Sequence, residues 1–128
     1  MGIPKEFRIK KSNEFSSIRS LGVRRVTPYF ITQLKFVESN KAGANSLPMT
    51  RLGVVASRRV GNAVVRNRGK RIIRRLFFNH RSLLPVGSQL VVVLRLGFNK
   101  VSFTQLENHF LESCAWYAKK FKTKGLLE

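Results

Sequence analysis

Acidic residues are the scarcest resource in this 128-residue chain: six, against twenty-five Lys and Arg, for a formal net charge of +19. Between Glu38 and Glu107 there is no acidic residue at all. Paired carboxylates for general acid–base work, or the ligand cluster of a two-metal nuclease, would have too few residues to draw on. Histidine is nearly as sparse. His80 and His109 are the only two, and His80, at the end of a basic segment, reads as a surface residue or a phosphate contact. The single cysteine, Cys114, excludes an internal disulfide and any cysteine-rich zinc site, and agrees with a reducing compartment. Long apolar runs are missing too: Leu90 to Leu94 is the longest, far too short to span a bilayer. The stretch "MGIPKEFRIKKSNEFSSIRSLGVRR" is basic and serine-bearing, but Glu6 and Glu14 argue against an organelle transit peptide. It has no apolar core for secretion, and Glu6 stands where a myristoylation signal wants Ser or Thr. The expected location is the cytoplasm.

What is present is concentrated basic charge. A chain of this length suits one domain with a real core, and +19 is far more than solubility requires. Because self-repulsion of that size opposes compaction, a polyanionic partner is the simplest explanation, and nucleic acid is favoured over a membrane surface. The segment "VGNAVVRNRGKRIIRRLFF", Val60 to Phe78, carries Arg66, Arg68, Lys70, Arg71, Arg74 and Arg75 with nothing to neutralise them. On a helix, Val65, Gly69, Ile72, Ile73, Leu76 and Phe77 form one apolar arc and the basic residues take most of the rest. The apolar arc can pack on a sheet, leaving the basic arc to face outward. Arginine dominates it, and its planar fork matches phosphate oxygens two at a time.

Along the chain, residues 1–11 read as a flexible basic lead-in. Ser12 is placed to cap a short helix that Gly22 ends, with Phe15 and Ile18 on one side. "VTPYFITQLKFV" alternates over Val26 to Val37, setting Phe30, Leu34 and Phe36 on a core face and Tyr29, Ile31, Gln33 and Lys35 on a mixed one. "ESNKAGANSLPMT" is a loop, and "RLGVVAS", Arg51 to Ser57, a second strand. The basic helix is predicted from about Asn62 toward Leu83, stopped by Pro85 and Gly87, and a strand buried on both faces over Gln89 to Arg95. Ser102 and Gln105 form a capping box for a last helix with Phe103, Leu106, Phe110, Cys114, Tyr117 and Phe121 at helical spacing. Residues 119–128 read as a frayed tail. The sum is a small α+β sandwich, one sheet with helices covering a face. The mixed strand face carrying Ile31 and Gln33 is either ordinary surface or a platform for a single strand.

"RLGVVASRRVGNAVVRNRGKRIIRR", Arg51 to Arg75, resembles the protein subunit of bacterial ribonuclease P. Ser57, Arg58 and Arg59 are followed by Gly61, Asn62 and Ala63, then by Arg66, Asn67 and Arg68, then by Lys70, Arg71, Arg74 and Arg75. "FRIKKSNEF" is similar to the family's lead-in to its first helix, with Phe15 at an aromatic position. The resemblance implies a two-layer α/β sandwich like ribosomal protein S5 domain 2, with a left-handed βαβ crossover against the usual right-handed preference. It implies a ribonucleoprotein enzyme whose RNA subunit hydrolyses precursor tRNA with Mg2+, removing the 5′ leader. The protein binds the RNA subunit and the leader, aids magnesium use, supplies no catalytic residue, and needs no membrane and no obligate protein partner. Contact with the RNA subunit would fall to Arg58, Arg59, Arg66, Asn67, Arg68, Lys70, Arg71, Arg74 and Arg75. The leader cleft would hold Phe15, Arg19, Ile31, Gln33, Val55, Asn67, Lys70 and Arg74. Arg19 departs from a second aromatic found in some members, so guanidinium stacking or a phosphate contact replaces base stacking there. Gly69 stands where an aliphatic is usual, at a cost of about 1 kcal/mol in helix propensity unless close packing uses it.

Composition alone supports a second reading equally, a basic structural RNA-binding protein such as a ribosomal component. A nuclease acting without RNA is the third, and the acidic poverty argues against it.

Overall fold

The computed structural model describes residues 7–36 and 50–123. In chain order the elements are α1 (Ser12–Leu21), β1 (Val23–Val26), β2 (Phe30–Phe36), β3 (Arg51–Val55), α2 (Ala63–His80), β4 (Ser88–Leu94) and α3 (Phe103–Thr123). One four-stranded mixed sheet runs in the order β1-β2-β4-β3. β1 to β2 and β2 to β4 are antiparallel, while β3 lies parallel to β4, so β3, α2 and β4 make a βαβ unit.

The main core lies between the sheet and the two long helices. Phe30 and Leu34 of β2, Leu52 of β3, and Leu90, Val92 and Leu94 of β4 pack against Ile73, Leu76 and Phe77 of α2 and Leu106, Phe110, Cys114, Tyr117 and Phe121 of α3. Burying each large side chain here contributes roughly 1.5–3 kcal/mol. Cys114 is a core residue, and burial pushes its thiol up to about 12. Tyr117 carries a polar thread through this layer. Its hydroxyl donates to the Val23 carbonyl at 2.8 Å and shares a 2.9 Å hydrogen bond with the Thr32 hydroxyl.

Asn62 caps α2, its side chain accepting from the Val65 N–H at 3.0 Å, and the helix gives way to a 3-10 turn at Arg81–Leu83. The apolar arc of α2 is inward as its spacing predicts. At Gly69 a Cβ would stand 2.6 Å from Leu94 Cδ1 and Phe98 Cζ, so the missing side chain lets α2 sit close to the sheet. The Ser102–Gln105 box is also formed.

Several expectations are corrected. In place of the single strand over Val26 to Val37 the described residues form a hairpin: β1 and β2 flank a three-residue loop, Thr27, Pro28 and Tyr29. Pro28 cannot donate to a ladder, and Thr27 closes the turn, donating from its hydroxyl to the Phe30 carbonyl at 2.6 Å. Tyr29 therefore leaves the mixed face and packs edge-on against His109 of α3. Ser12 is the first helical residue and not the cap, because Glu14 takes the Lys11 N–H at 3.3 Å. The helices do not all cover one face, since α1 packs on the opposite side, where Ile9, Ile18 and Val91 form a second small core. Part of the lead-in is docked: Arg8 bridges to Leu52, and Ile9 donates to the Leu52 carbonyl at 2.8 Å. α3 continues through Thr123, taking in Lys119 and Lys120, which the sequence reading put in a tail. The loop expected at Glu38 to Thr50 lies outside the described residues apart from Thr50, as do residues 1–6 and 124–128.

Candidate nucleic-acid interface

Period-two alternation divides every strand between two environments. Residues paired across the sheet share a face, so the register gives the layout on the α1 side. One row runs Val26, Ile31, Val93, Val55 across all four strands. The next runs Arg24, Gln33, Val91, Gly53. α1 sits over the second row and leaves much of the first open: Val26 is 56% and Val55 38% exposed.

Between α1 and this face lies a groove of about 550 Å³, lined by Ser12, Phe15, Ser16 and Arg19 from the helix and by Arg24, Ile31, Gln33, Val55, Val91 and Val93 from the sheet. The one-turn spacing of Phe15 and Arg19, and of Ser12 and Ser16, puts all four on the groove side of α1. Three contacts hold the helix there. Arg51 of β3 grips the Glu14 carboxylate with both terminal nitrogens, at 2.7 and 3.3 Å. Lys35 of β2 donates to the Ser17 hydroxyl at 2.7 Å. The Phe15 ring lies directly over Gly53, where a Cβ would meet its Cε1 at 2.5 Å. The hydrogen bond from Arg51, aided by the Lys11 N–H, holds the Glu14 carboxyl below its ordinary 4.5 against the opposing effect of burial.

On the other side of the sheet α2 presents the basic arc. Arg58 and Arg59, in a 3-10 turn ahead of the helix, and Asn67, Arg68, Arg71 and Arg75 are exposed, while Arg66, Lys70 and Arg74 are half-buried. The Arg66 Nε is covered and has no hydrogen-bond partner among the described residues. Burial, and then the nearby charge of Arg8, lower the pKa of the Arg74 guanidinium, and Arg8 itself is bridged to Leu52 at the outer edge of β3.

Of the eight residues expected in the leader cleft, the structure brings Phe15, Arg19, Ile31, Gln33 and Val55 together in one groove. Asn67, Lys70 and Arg74 belong to α2 and do not line it. Sequence reasoning missed Arg24, because the strand that carries it was not foreseen. It also missed Gly53, although a glycine inside a strand is itself a sign of close approach by another group. His80 is not a free phosphate contact: its Nε2 pairs with Glu107 of α3 at 2.9 Å. The fold thereby brings a carboxylate beside the end of the basic helix, which sequence proximity did not. Among the described residues no three His, Cys, Asp or Glu side chains form a metal ligand set, and no helix is long and apolar enough to cross a membrane.

Comparison with known proteins places these features in a family context. The family model described as Ribonuclease P matches residues 3–117. The chain is 35% identical over 105 residues to the ribonuclease P protein component of Streptomyces avermitilis, covering 81% of this chain and 85% of that one. It is 32% identical over 104 residues to that of Brevibacillus brevis, covering 81% and 77%. Among solved structures, the Staphylococcus aureus RNase P protein superposes with a TM-score of 0.72 at 28% identity, covering 87% of this chain and 97% of that one. The Thermotoga maritima RNase P protein gives 0.69 at 26% identity, covering 84% and 94%.

Proposed function

The chain belongs to the bacterial ribonuclease P protein family, and from that premise we propose that it is a single RNA-binding domain with two working surfaces. The acid-free basic arc of α2 and the preceding turn, Arg58, Arg59, Arg66, Asn67, Arg68, Lys70, Arg71, Arg74 and Arg75, binds the ribonuclease P RNA. The groove under α1 takes the single-stranded 5′ leader of precursor tRNA. Asn67, Lys70 and Arg74 serve the leader as phosphate contacts at its approach to the groove, reached round the β3 edge. The β3-α2-β4 unit we assign to the left-handed crossover of the ribosomal protein S5 domain 2-like folds, and the working compartment to the cytoplasm.

One observation carries this reading: a half-apolar groove with an aromatic ring in its helix wall and arginine at its rim lies on one side of the sheet, and the concentrated guanidinium charge on the other. Unpaired bases stack on aromatic rings with little sequence preference, at roughly 1–3 kcal/mol each. A structured RNA backbone is held by arginine forks. Magnesium we assign to the RNA subunit, as membership of the family implies. The protein lowers the magnesium demand by neutralising phosphates that the ion would otherwise screen.

Reconstitution tests the proposal. Purified protein added to the RNA subunit at low magnesium is expected to raise the rate of leader removal and to cut nothing alone. Cleavage by the protein without RNA would contradict it, and RNA binding without any gain in cleavage would favour the ribosomal type of role.

A further inference from the structure

We propose that Arg24 is a specificity-determining residue of the groove, binding a leader phosphate at the far edge of the sheet and, with Arg19, fixing the path of the single strand. The inference rests on the leader-binding reading above and names a residue that reading did not use.

β1 carries two adjacent arginines whose side chains go to opposite faces. Arg25 is engaged: its Nε donates to Ser113 at 3.1 Å and its guanidinium lies 5.5 Å from the centre of the Trp116 ring, tying β1 to α3. Arg24 points to the other face, pairs in register with Gln33, and lines the groove. It is exposed and makes no hydrogen bond or ion pair with any described residue. The other cation on the α1 wall, Arg19, is likewise exposed and unengaged among the described residues. By contrast Lys35 and Arg51, on the same sheet face, are both spent holding α1.

The row Val26, Ile31, Val93, Val55 connects these groups. It crosses three inter-strand spacings of about 4.8 Å, so from β3 to β1 it spans about 14 Å, room for a few nucleotides. A strand stacked on Phe15, over β3, and following the apolar row reaches β1 beside Val26, two residues along from Arg24. Arg24 therefore meets a nucleotide farther from α2 than the one on Phe15. Its planar fork takes phosphate oxygens in pairs, where the apolar row takes bases.

The test uses the full chain assembled with the ribonuclease P RNA, comparing wild type, Arg24→Ala and Arg24→Lys on precursor tRNAs whose leaders lengthen one nucleotide at a time. The Arg24→Ala loss should be absent for the shortest leaders, appear at a threshold length, and reach about tenfold or more, the order of one hydrogen bond to a charged group. The slope of log affinity against log salt should become shallower by about 0.7 on long leaders only, and Arg24→Lys should keep most of the affinity. The unfolding midpoint of the free protein should not move. A wild-type gain with leader length that Arg24→Ala retains in full would overturn the Arg24 assignment alone. A wild type that gains nothing from leader length would overturn the groove reading with it. Equal Arg24→Ala losses on every leader would make the residue part of the RNA-subunit contact and overturn its placement on the leader.

Discussion

Gly53 and Phe15 form the smallest unit on which the groove depends. A methyl at Gly53 would stand 2.5 Å from the Phe15 ring, so Gly53→Ala must push the ring or the helix away. We expect a lowered unfolding midpoint, with a loss of about 1–3 kcal/mol typical of overpacking, together with weaker binding of long leaders. An unchanged midpoint would show that α1 rides freely on the sheet. Phe15→Ala removes the stacking surface itself. Long-leader affinity should fall about tenfold, near 1.4 kcal/mol, with short-leader affinity nearly unchanged, and equal losses on both would assign Phe15 to the fold. Gly69 gives the opposite lesson about propensity. Alanine is the better helix former by about 1 kcal/mol, yet its Cβ would lie 2.6 Å from Leu94 and Phe98. Gly69→Ala should therefore lower the unfolding midpoint, and a rise would mean the sheet yields. Gly69 stood out in the sequence as an oddity within a helix, while Gly53 passed unremarked. Their partners were not legible there, because Phe15 and Gly53 meet only once α1 has folded across the sheet.

At the scale of elements, α2 was the most legible part of the chain. Its start near Asn62, its apolar arc and its basic arc were all readable, because a single helix writes its burial into a 3.6-residue period. Its outward charge gives a direct prediction. Arg66→Ala combined with Arg68→Ala should weaken binding to the ribonuclease P RNA far more than it lowers the unfolding midpoint, since neither side chain belongs to the apolar core. A collapsed midpoint with intact RNA affinity would make these arginines structural. β1 was illegible for an equally physical reason: "RR" in "VRRV" hides an alternation in which Arg25 packs against α3 and Arg24 faces the groove. α1 depends on the ion pair between Glu14 and Arg51, whose sign with pH is fixed. The folded-state pKa of Glu14 lies below 4.5, so its contribution is present above that value and disappears as pH falls through the lower folded pKa. Glu14→Gln should flatten this part of the acid-unfolding profile and weaken α1 docking at neutral pH. An unchanged profile would show the pair to be incidental.

For the whole molecule, the amino acid composition indicated a polyanionic partner, and the Arg51 to Arg75 motif indicated which family. Which side of the sheet each surface occupies could not be read from either. Helical arcs show which residues are buried, not against which face, and so the expectation that the helices share one face failed at α1. The same arrangement explains why Asn67, Lys70 and Arg74 do not line the groove that takes in Phe15 and Ile31. The sheet itself separates guanidinium charge on α2 from the half-apolar surface under α1, and the proposed division of RNA subunit and leader between two surfaces rests on that separation. The most direct test of that division is photo-crosslinking in the assembled ribonucleoprotein, with a photoreactive base placed at successive leader positions and the attached residues identified by mass spectrometry. Crosslinks are predicted on Phe15, Ile31, Val55 and their groove neighbours, moving toward β1 as the probe moves away from the cleavage site. Crosslinks confined to α2 or α3, with none on the α1 side of the sheet, would contradict the account.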